Sequence, residues 1–113
     1  MIFKKGDYIL AKNAKEAISF SERAIGLMFK DKMENFDGLL IKPCRSIHTF
    51  FMKYPIDVIF LSSDNRVVKI IQNMRPWRMS SIYFRSAKVL ELMGGTVKNS
   101  IKKDDQLEVI CTN

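Results

Sequence analysis

Two side chains that can exchange protons lie inside the most hydrophobic stretch of the chain. His48 is the only histidine, and Asp57 follows it within IHTFFMKYPIDVIF, residues 47–60. A buried, unpaired carboxylate would cost several kcal/mol, so Asp57 must be paired with Arg23, with His48 or with backbone amides. A structural role is the favoured interpretation of Asp57. The alternative is a pocket carboxylate with a shifted pKa, with Glu91 beside it as a second acid.

Cys44 is the candidate nucleophile nearest to His48 in sequence. In a straight strand, at about 3.3 Å per residue, the two residues would lie roughly 13 Å apart, which is too far to share a proton or a metal. A Cys–His dyad therefore requires the chain to turn after Pro43. The favoured interpretation is an inert thiol and a histidine bonded to backbone. Cys44 and Cys111 lack metal-type spacing, so no metal is predicted, and in a reducing compartment both are expected to be free thiols. No cofactor is predicted either.

A second group of chemically suited residues lies in MRPWRMSSIYFRS, residues 74–86. The segment has no clear period and is long for a connection in a small domain, which is typical of a binding loop. Arg75, Trp77 and Arg78 combine guanidinium groups with an aromatic ring, a mixture that grips phosphates and stacks on bases or sugars. The favoured interpretation is nevertheless structural: Trp77 plugs one end of the barrel while the arginines stay in water, and binding is the alternative. The loop matches no nucleic-acid motif, which weighs against a nucleic-acid partner.

Positive charge is concentrated in the middle of the chain. There are 19 Lys and Arg residues against 12 Asp and Glu, a net charge of +7. No acidic residue occurs in residues 38–56 or 65–90. This distribution favours an anionic small molecule or a partner protein, although a modest excess of lysine most often marks only a solvated surface.

The elements that must position these residues are short strands. Runs of β-branched and aromatic residues, separated by turn residues, predict seven strands. The predicted strands lie near residues 7–11, 38–42, 47–52, 56–62, 67–73, 87–92 and 107–111. The sequence SSDN at 62–65 predicts an antiparallel hairpin between the fourth and fifth of them.

Two short helices complete the predicted fold. Ser19 and Glu22 form a capping-box pattern, and Gly26 can take the left-handed conformation that ends a helix. A second helical turn is predicted over residues 96–103. The length of 113 residues suits a single domain over residues 1–113. We therefore predict a β-rich α+β fold, a rolled sheet or small barrel of about seven mostly antiparallel strands with two short helices.

The sequence contains no predicted membrane span. Lys53 and Asp57 interrupt the longest apolar run well before about 18 residues. The first ten residues, MIFKKGDYIL, lack the apolar stretch and cleavage site of a secretory signal. A cytoplasmic location is expected on this basis.

Seven motifs along the chain are shared with a known family. They are RAIGLMF (23–29), DGLLI (37–41), IHTFFMKYPIDVIFL (47–61), VVKII (67–71), RPW (75–77), AKVLEL (87–92) and IKKDDQLEV (101–109). In this order they resemble the family called domain of unknown function 192, which offers no established reaction or catalytic residues. The resemblance implies a compact β-rich domain of bacteria and archaea, often exported or membrane-associated and sometimes linked with pilus or secretion systems. This chain departs from that pattern in lacking an export signal and in carrying Asp104 where the family tends to have glycine.

Three hypotheses for function remain. The favoured one is a non-catalytic binding or accessory module, in which the arginine and tryptophan loop and a pocket of Arg23, His48 and Asp57 engage an anionic small molecule or a partner protein. The second is a small hydrolase-like enzyme that uses His48 and Asp57, with Cys44 or Glu91 in support. The third is a weak nucleic-acid binder. The first is favoured because no nucleophile, base and orienting group can be placed within reach of one another.

Overall fold

Two β-sheets and one short helix make up the protein in the computed structural model, which describes residues 1–111 except for the side chain of Phe20. The elements are β1 (Ile2–Lys5), β2 (Tyr8–Ala11), β3 (Ala14–Ala17), α1 (Phe20–Ile25), β4 (Gly38–Ile41), β5 (Ile56–Leu61), β6 (Val67–Met74), β7 (Lys88–Met93) and β8 (Glu108–Ile110). One sheet has the order β2-β1-β8 and the other β3-β4-β7-β5-β6. Neighbouring strands are antiparallel except β3 and β4, which are parallel.

The five-stranded sheet is buried on both faces, and β5 and β7 lie inside it. Its first face packs against β1 and β2. The buried side chains there include Phe3, Leu10, Ile59, Leu61, Leu90 and Leu92. Its second face is covered by the chain that follows α1 and β4. The buried side chains there include Leu27, Ile47, Met52, Val58, Phe60 and Val89. A polar side chain in the middle of β5 or β7 is therefore enclosed whichever face it points to.

Six of the seven predicted strands are confirmed to within one residue at each end, and so is the hairpin at 62–65, where Asn65 has a φ of 69°. The predicted strand over 47–52 is wrong. His48 forms an isolated bridge to Met79, and Phe51 has a φ of 64°, so this segment is a loop. Ile47 and Met52 are buried because the loop lies on the sheet, and this partial burial gives the loop the apolar content of a strand.

Two strands were not predicted. β1 is joined to β2 by Gly6 and Asp7, and β3 has the sequence AKEA, which contains no β-branched residue. Parallel pairing of β3 with β4 outweighs the low strand propensity of this sequence. The predicted β-rich fold is confirmed, but its predicted closure into a barrel is wrong, because within the described residues the two sheets stay open, with β2, β8, β3 and β6 at their edges.

Helix α1 is confirmed, with both hydrogen bonds of the capping box between Ser19 and Glu22 at 3.1 Å. Gly26 ends it at φ 52° and ψ −119°, which is a glycine conformation other than the left-handed helical one expected. The second helix over 96–103 is not formed, because Lys98 has a φ of 51° and the segment folds as turns. No helix within residues 1–111 is long and apolar enough to cross a membrane.

Hydrogen bonds to the Asp57 side chain join the turn after β7 to the β5–β6 hairpin. Its side chain is fully buried on the first face, opposite Leu92. The Oδ1 atom accepts hydrogen bonds from the amides of Asn73 at 2.8 Å and Gly95 at 3.3 Å, and Oδ2 accepts one from Val97 at 2.8 Å. Of the three partners expected for this carboxylate, the structure shows backbone amides, which offset its burial.

Substitution of this carboxylate tests its role in the fold. Asp57→Asn places an amide NH₂ group where an oxygen now accepts from the backbone, so we expect the free energy of unfolding to fall by about 2–4 kcal/mol in urea denaturation. The control is Asp7→Asn in the exposed β1–β2 turn, which should change stability by less than about 0.5 kcal/mol. An Asp57→Asn variant as stable as the wild type would show that the three amides do not depend on the charge.

Candidate functional site

Two loops lie side by side across the second face and carry most of the candidate residues. The first runs from residue 42 to 55 and the second from 75 to 87. Thr49, which is fully buried, joins them: its hydroxyl donates to the Arg75 carbonyl at 2.6 Å and accepts from the Arg78 amide at 2.9 Å. Backbone hydrogen bonds extend the pairing, from Ser80 to Ile47 at 2.9 Å and from Tyr83 to Arg45 at 2.8 Å. The loops thus form one bonded layer over the sheet.

Aromatic side chains collect at one end of this layer, in a group that we call the aromatic surface. Its members are Phe29, His48, Phe50, Phe51 and Trp77. The ring centroids are 5.1 Å apart for Phe29 and Phe51, 4.6 Å for Phe51 and Trp77, 6.0 Å for Trp77 and Phe50, and 5.0 Å for Phe50 and His48. Phe29 is 60% exposed and Trp77 55%. This is a contiguous apolar group in contact with solvent.

The backbone holds three of these aromatic residues in an unfavourable conformation. Phe29, Phe51 and Trp77 have φ values of 65°, 64° and 65°. Bulky residues rarely adopt positive φ, and such positions cost on the order of 1–3 kcal/mol each. Hydrogen bonds enforce the conformation, from the Phe29 amide to the Phe51 carbonyl and from the Trp77 amide to the Thr49 carbonyl, both at 2.9 Å. Strain of this kind clusters at functional sites.

Positive charge borders the aromatic surface. Arg75 and Arg78 flank Trp77 in sequence and are exposed. Met79, 70% exposed, bridges to His48 through the backbone. The structure therefore brings Arg75, Trp77 and Arg78 together with aromatic residues from two other segments.

Four further candidate residues meet at a small cavity. It has a volume of about 90 Å³ and lies between the end of α1, the first loop and β7. Arg23, Cys44, His48 and Glu91 are among the residues that line it. Asp57 is not, because it points to the first face of the sheet whereas Glu91, opposite Val58 and Leu39, points to the second. The structure thus groups His48 with Glu91 and separates both from Asp57.

Glu91 is the most perturbed acid in the described part of the chain. Its side chain is 3% exposed, and burial raises its pKa to about 8. Within residues 1–111 no protein group forms a hydrogen bond with its carboxyl group. Glu91 is therefore mostly protonated at pH 7, where it can donate a hydrogen bond.

The neighbours of Glu91 respond to the same environment. Burial raises the pKa of Tyr54 to about 12, and the charge of Glu91 adds to this effect. Burial also raises the pKa of the Cys44 thiol, which a hydrogen bond to Ser46 partly offsets. A thiol with a raised pKa is a poor nucleophile at neutral pH.

Cys44 and His48 do not form a hydrogen-bonded dyad. The Cys44 Sγ donates to the Ser46 carbonyl at 3.1 Å, whereas His48 Nδ1 accepts from the Phe50 amide at 3.2 Å. Both cysteines are free, as predicted. The turn between them does bring Cys44 and His48 to one cavity, but without a shared proton.

Sequence reasoning missed Phe29, Phe50 and Phe51 as members of the exposed surface. A strand over residues 47–52 would place Phe50 and Phe51 on opposite faces. The shared contact of these two rings with Trp77 was therefore not expected. The adjacent pair Phe50 and Phe51, next to a histidine, was the available signal. Tyr54, which faces Glu91, gave no separate signal in sequence.

The fold and these two sites define a small β-rich domain with an exposed aromatic surface and, sharing His48 with it, a small cavity lined by Arg23 and Glu91. The model of the family called domain of unknown function 192, described as "Uncharacterized ACR", matches residues 2–109. The chain therefore belongs to this family, which confirms the resemblance.

Similar proteins come from archaea and bacteria. A UPF0127 protein of Pyrococcus horikoshii is 42% identical over 93 residues, 78% of this chain and 77% of the relative, and one of Pyrococcus furiosus is 35% identical over 97 residues, 81% of this chain and 82% of the relative. A protein of unknown function from Novosphingobium aromaticivorans has a similar structure, with a TM-score of 0.73, 27% identity and coverage of 85% of this chain and 74% of that one. A Sinorhizobium meliloti protein, provisionally titled a transcription regulator, has a TM-score of 0.70, 30% identity and coverage of 84% and 79%.

The raised pKa of Glu91 predicts a pH-dependent stability. The native state keeps this proton up to about pH 8, whereas the unfolded chain loses it near the ordinary pKa of 4.5. The native state therefore binds more protons between these values, and the free energy of unfolding should fall as pH rises, by up to about 1.4 kcal/mol per pH unit. Glu91→Gln, neutral at every pH, should lose this slope.

Urea denaturation at several pH values measures the effect. The stability of Glu91→Gln relative to wild type should increase from about pH 5 to pH 8 and then level off. Glu108→Gln, on the exposed edge strand β8, is the matched control and should follow the wild type. A constant difference between Glu91→Gln and wild type over this range would contradict the assignment.

Proposed function

We propose that this protein is a binding module that holds an acidic, apolar-containing segment of a partner protein on its aromatic surface. The observation that carries the proposal is the strained, exposed contact among Phe29, Phe51 and Trp77. Exposed rings bury little area in the fold, so they do little to offset the cost of positive φ. A bound partner would bury the exposed apolar area, and this would account for an arrangement that the fold alone does not stabilise.

The composition of the surface suits a protein partner. Trp, Phe, Met and Arg are the residues enriched at the centres of protein interfaces, and Trp and Arg carry most of the binding energy there. Bases would need separate, open ring faces for stacking. Here the rings of Phe51 and Trp77 meet at an interplanar angle of 60° and those of Phe29 and Phe51 at 34°, so the rings pack mainly on one another.

Charge favours an acidic partner over a second copy of this chain. Arg75 and Arg78 border the surface, and residues 65–90 contain no acid. A symmetric dimer through this surface would bring the arginines of two copies together, with +7 on each chain. Acidic side chains of a different protein would instead be attracted to Arg75 and Arg78. This attraction would raise the rate of association and make that rate sensitive to salt.

The hydrolase hypothesis receives no comparable support. Asp57 is occupied by three amides on the first face, so it does not orient His48 on the second. The Cys44 thiol bonds to backbone and has a raised pKa. We therefore propose binding rather than hydrolysis.

Selection from a display library of random peptides tests the proposal. We expect enrichment of peptides that combine Asp or Glu with aromatic or aliphatic residues, and binding that weakens as salt is added. The double substitution Trp77→Ala with Arg78→Ala should weaken the binding of a labelled selected peptide at least about tenfold, as measured by anisotropy. Phe84→Ala is the matched control, because Phe84 is 75% exposed and lies outside the aromatic surface.

Results of three kinds would overturn the proposal. The first kind comes from the selected peptides, namely no acidic and apolar consensus among them, or equal binding by the double variant and wild type. The second is binding of a single-stranded oligonucleotide at low salt that changes the fluorescence of Trp77, the only tryptophan, since the surface would then serve nucleic acid. The third is a dimer in sedimentation that Trp77→Ala dissociates, since the occupant would then be a second copy.

A further inference from the structure

Two buried polar groups at the cavity beside α1 have unused hydrogen-bonding capacity. Glu91 has no hydrogen bond to its carboxyl group within the described residues, and Arg23 Nε is buried without a partner there. In the part of the chain that the structure describes, the Arg23 guanidinium donates one hydrogen bond, from Nη1 to the Lys42 carbonyl at 3.3 Å. Buried polar groups in native proteins are nearly always paired with protein, water or ligand. The cavity between these two groups is the place where such a partner can sit.

The size of the cavity limits what it can hold. At about 30 Å³ per water in the liquid, a volume near 90 Å³ has room for about three waters or one ligand of three to five heavy atoms. That is too small for the backbone of a peptide. Ala24, Ser46 and His48 line the cavity and are exposed, so it opens at the surface.

The lining selects the chemistry of the ligand. Arg23 Nε and the protonated carboxyl of Glu91 are both hydrogen-bond donors at neutral pH, and the guanidinium is positively charged. This set disfavours a cation and suits an acceptor with negative charge. Most of the remaining wall is apolar. Its buried members are Leu27, Ile41, Ile47 and Met52.

We infer that this cavity binds a small free carboxylate, whose oxygens accept hydrogen bonds from Arg23 Nε and the Glu91 carboxyl while its carbon end lies against Leu27 and Met52. Acetate is the simplest member of the class. The inference rests on the cavity alone and does not depend on the partner proposed for the aromatic surface.

Acetate titration followed by ¹H–¹³C NMR of the Met52 methyl group, which lines the cavity and is present in every variant below, tests the inference. A ligand of four heavy atoms should bind with a Kd on the order of 1 mM at pH 7 and shift this resonance saturably. At pH 9 the ionised Glu91 repels the carboxylate, so affinity should fall about tenfold. The other titratable or charged groups that face Glu91 are Arg23, Cys44, His48 and Tyr54.

Variants separate the roles of the two donors. Glu91→Gln keeps a neutral donor at every pH, so it should bind acetate equally well at pH 7 and pH 9. Arg23→Gln should lose binding, whereas Arg45→Gln, which changes an exposed arginine outside the cavity wall, should bind as wild type does. The dispersion of each spectrum reports whether the variant is folded.

Several outcomes would overturn the inference. These are the absence of a saturable shift at about 100 mM acetate, which is far above the expected Kd; an equal shift with chloride at matched ionic strength; and wild-type affinity in Arg23→Gln. A loss of affinity at pH 9 that persists in Glu91→Gln would assign the pH dependence to another group and remove Glu91 from the site.

Discussion

Burial of the five-stranded sheet on both faces is the constraint on which the rest of the structure depends. The middle of β5 and the middle of β7 have no solvent-facing side, so a polar side chain there must find a partner or stay uncharged. Asp57, on the first face, is met by three backbone amides and becomes part of the fold. Glu91, on the second face, has no such amides, and its pKa rises to about 8. The two acids lie on adjacent strands but on different faces, so one has backbone amides as partners and the other does not.

The exposed site is built by loops that the sheet supports. Both loops cross the second face, and the buried hydroxyl of Thr49 fixes one against the other with hydrogen bonds at 2.6 and 2.9 Å. A rigid sheet beneath and a bonded layer above can hold Phe51 and Trp77 at positive φ, which an isolated loop would relax. Loops positioned on a rigid scaffold are where binding residues are usually found. His48 belongs to both sites, since it stacks on Phe50 and also lines the cavity.

The sequence predicted those elements that neighbouring residues stabilise. It did not predict the elements whose stability depends on pairing with a distant segment. The hairpin at 62–65 and the capping box of Ser19 and Glu22 were predictable because the residues that stabilise them are adjacent in sequence. Strand β3 was missed because its stability comes from pairing with β4. Residues 47–52 were misassigned because a loop buried on a sheet has the apolar content of a strand. Grouping Glu91 with His48 required knowledge of which face each strand residue occupies, and this follows only from the register.

We propose that the exposed rings are held in strain for binding rather than for stability. The free energy of unfolding of Phe29→Gly tests this, because glycine adopts a φ of 65° without steric cost while the ring is removed. We expect a stability within about 1 kcal/mol of wild type, or higher, since the lost contacts are exposed and the strain is relieved. A loss of more than about 2 kcal/mol would show instead that the ring stabilises the fold.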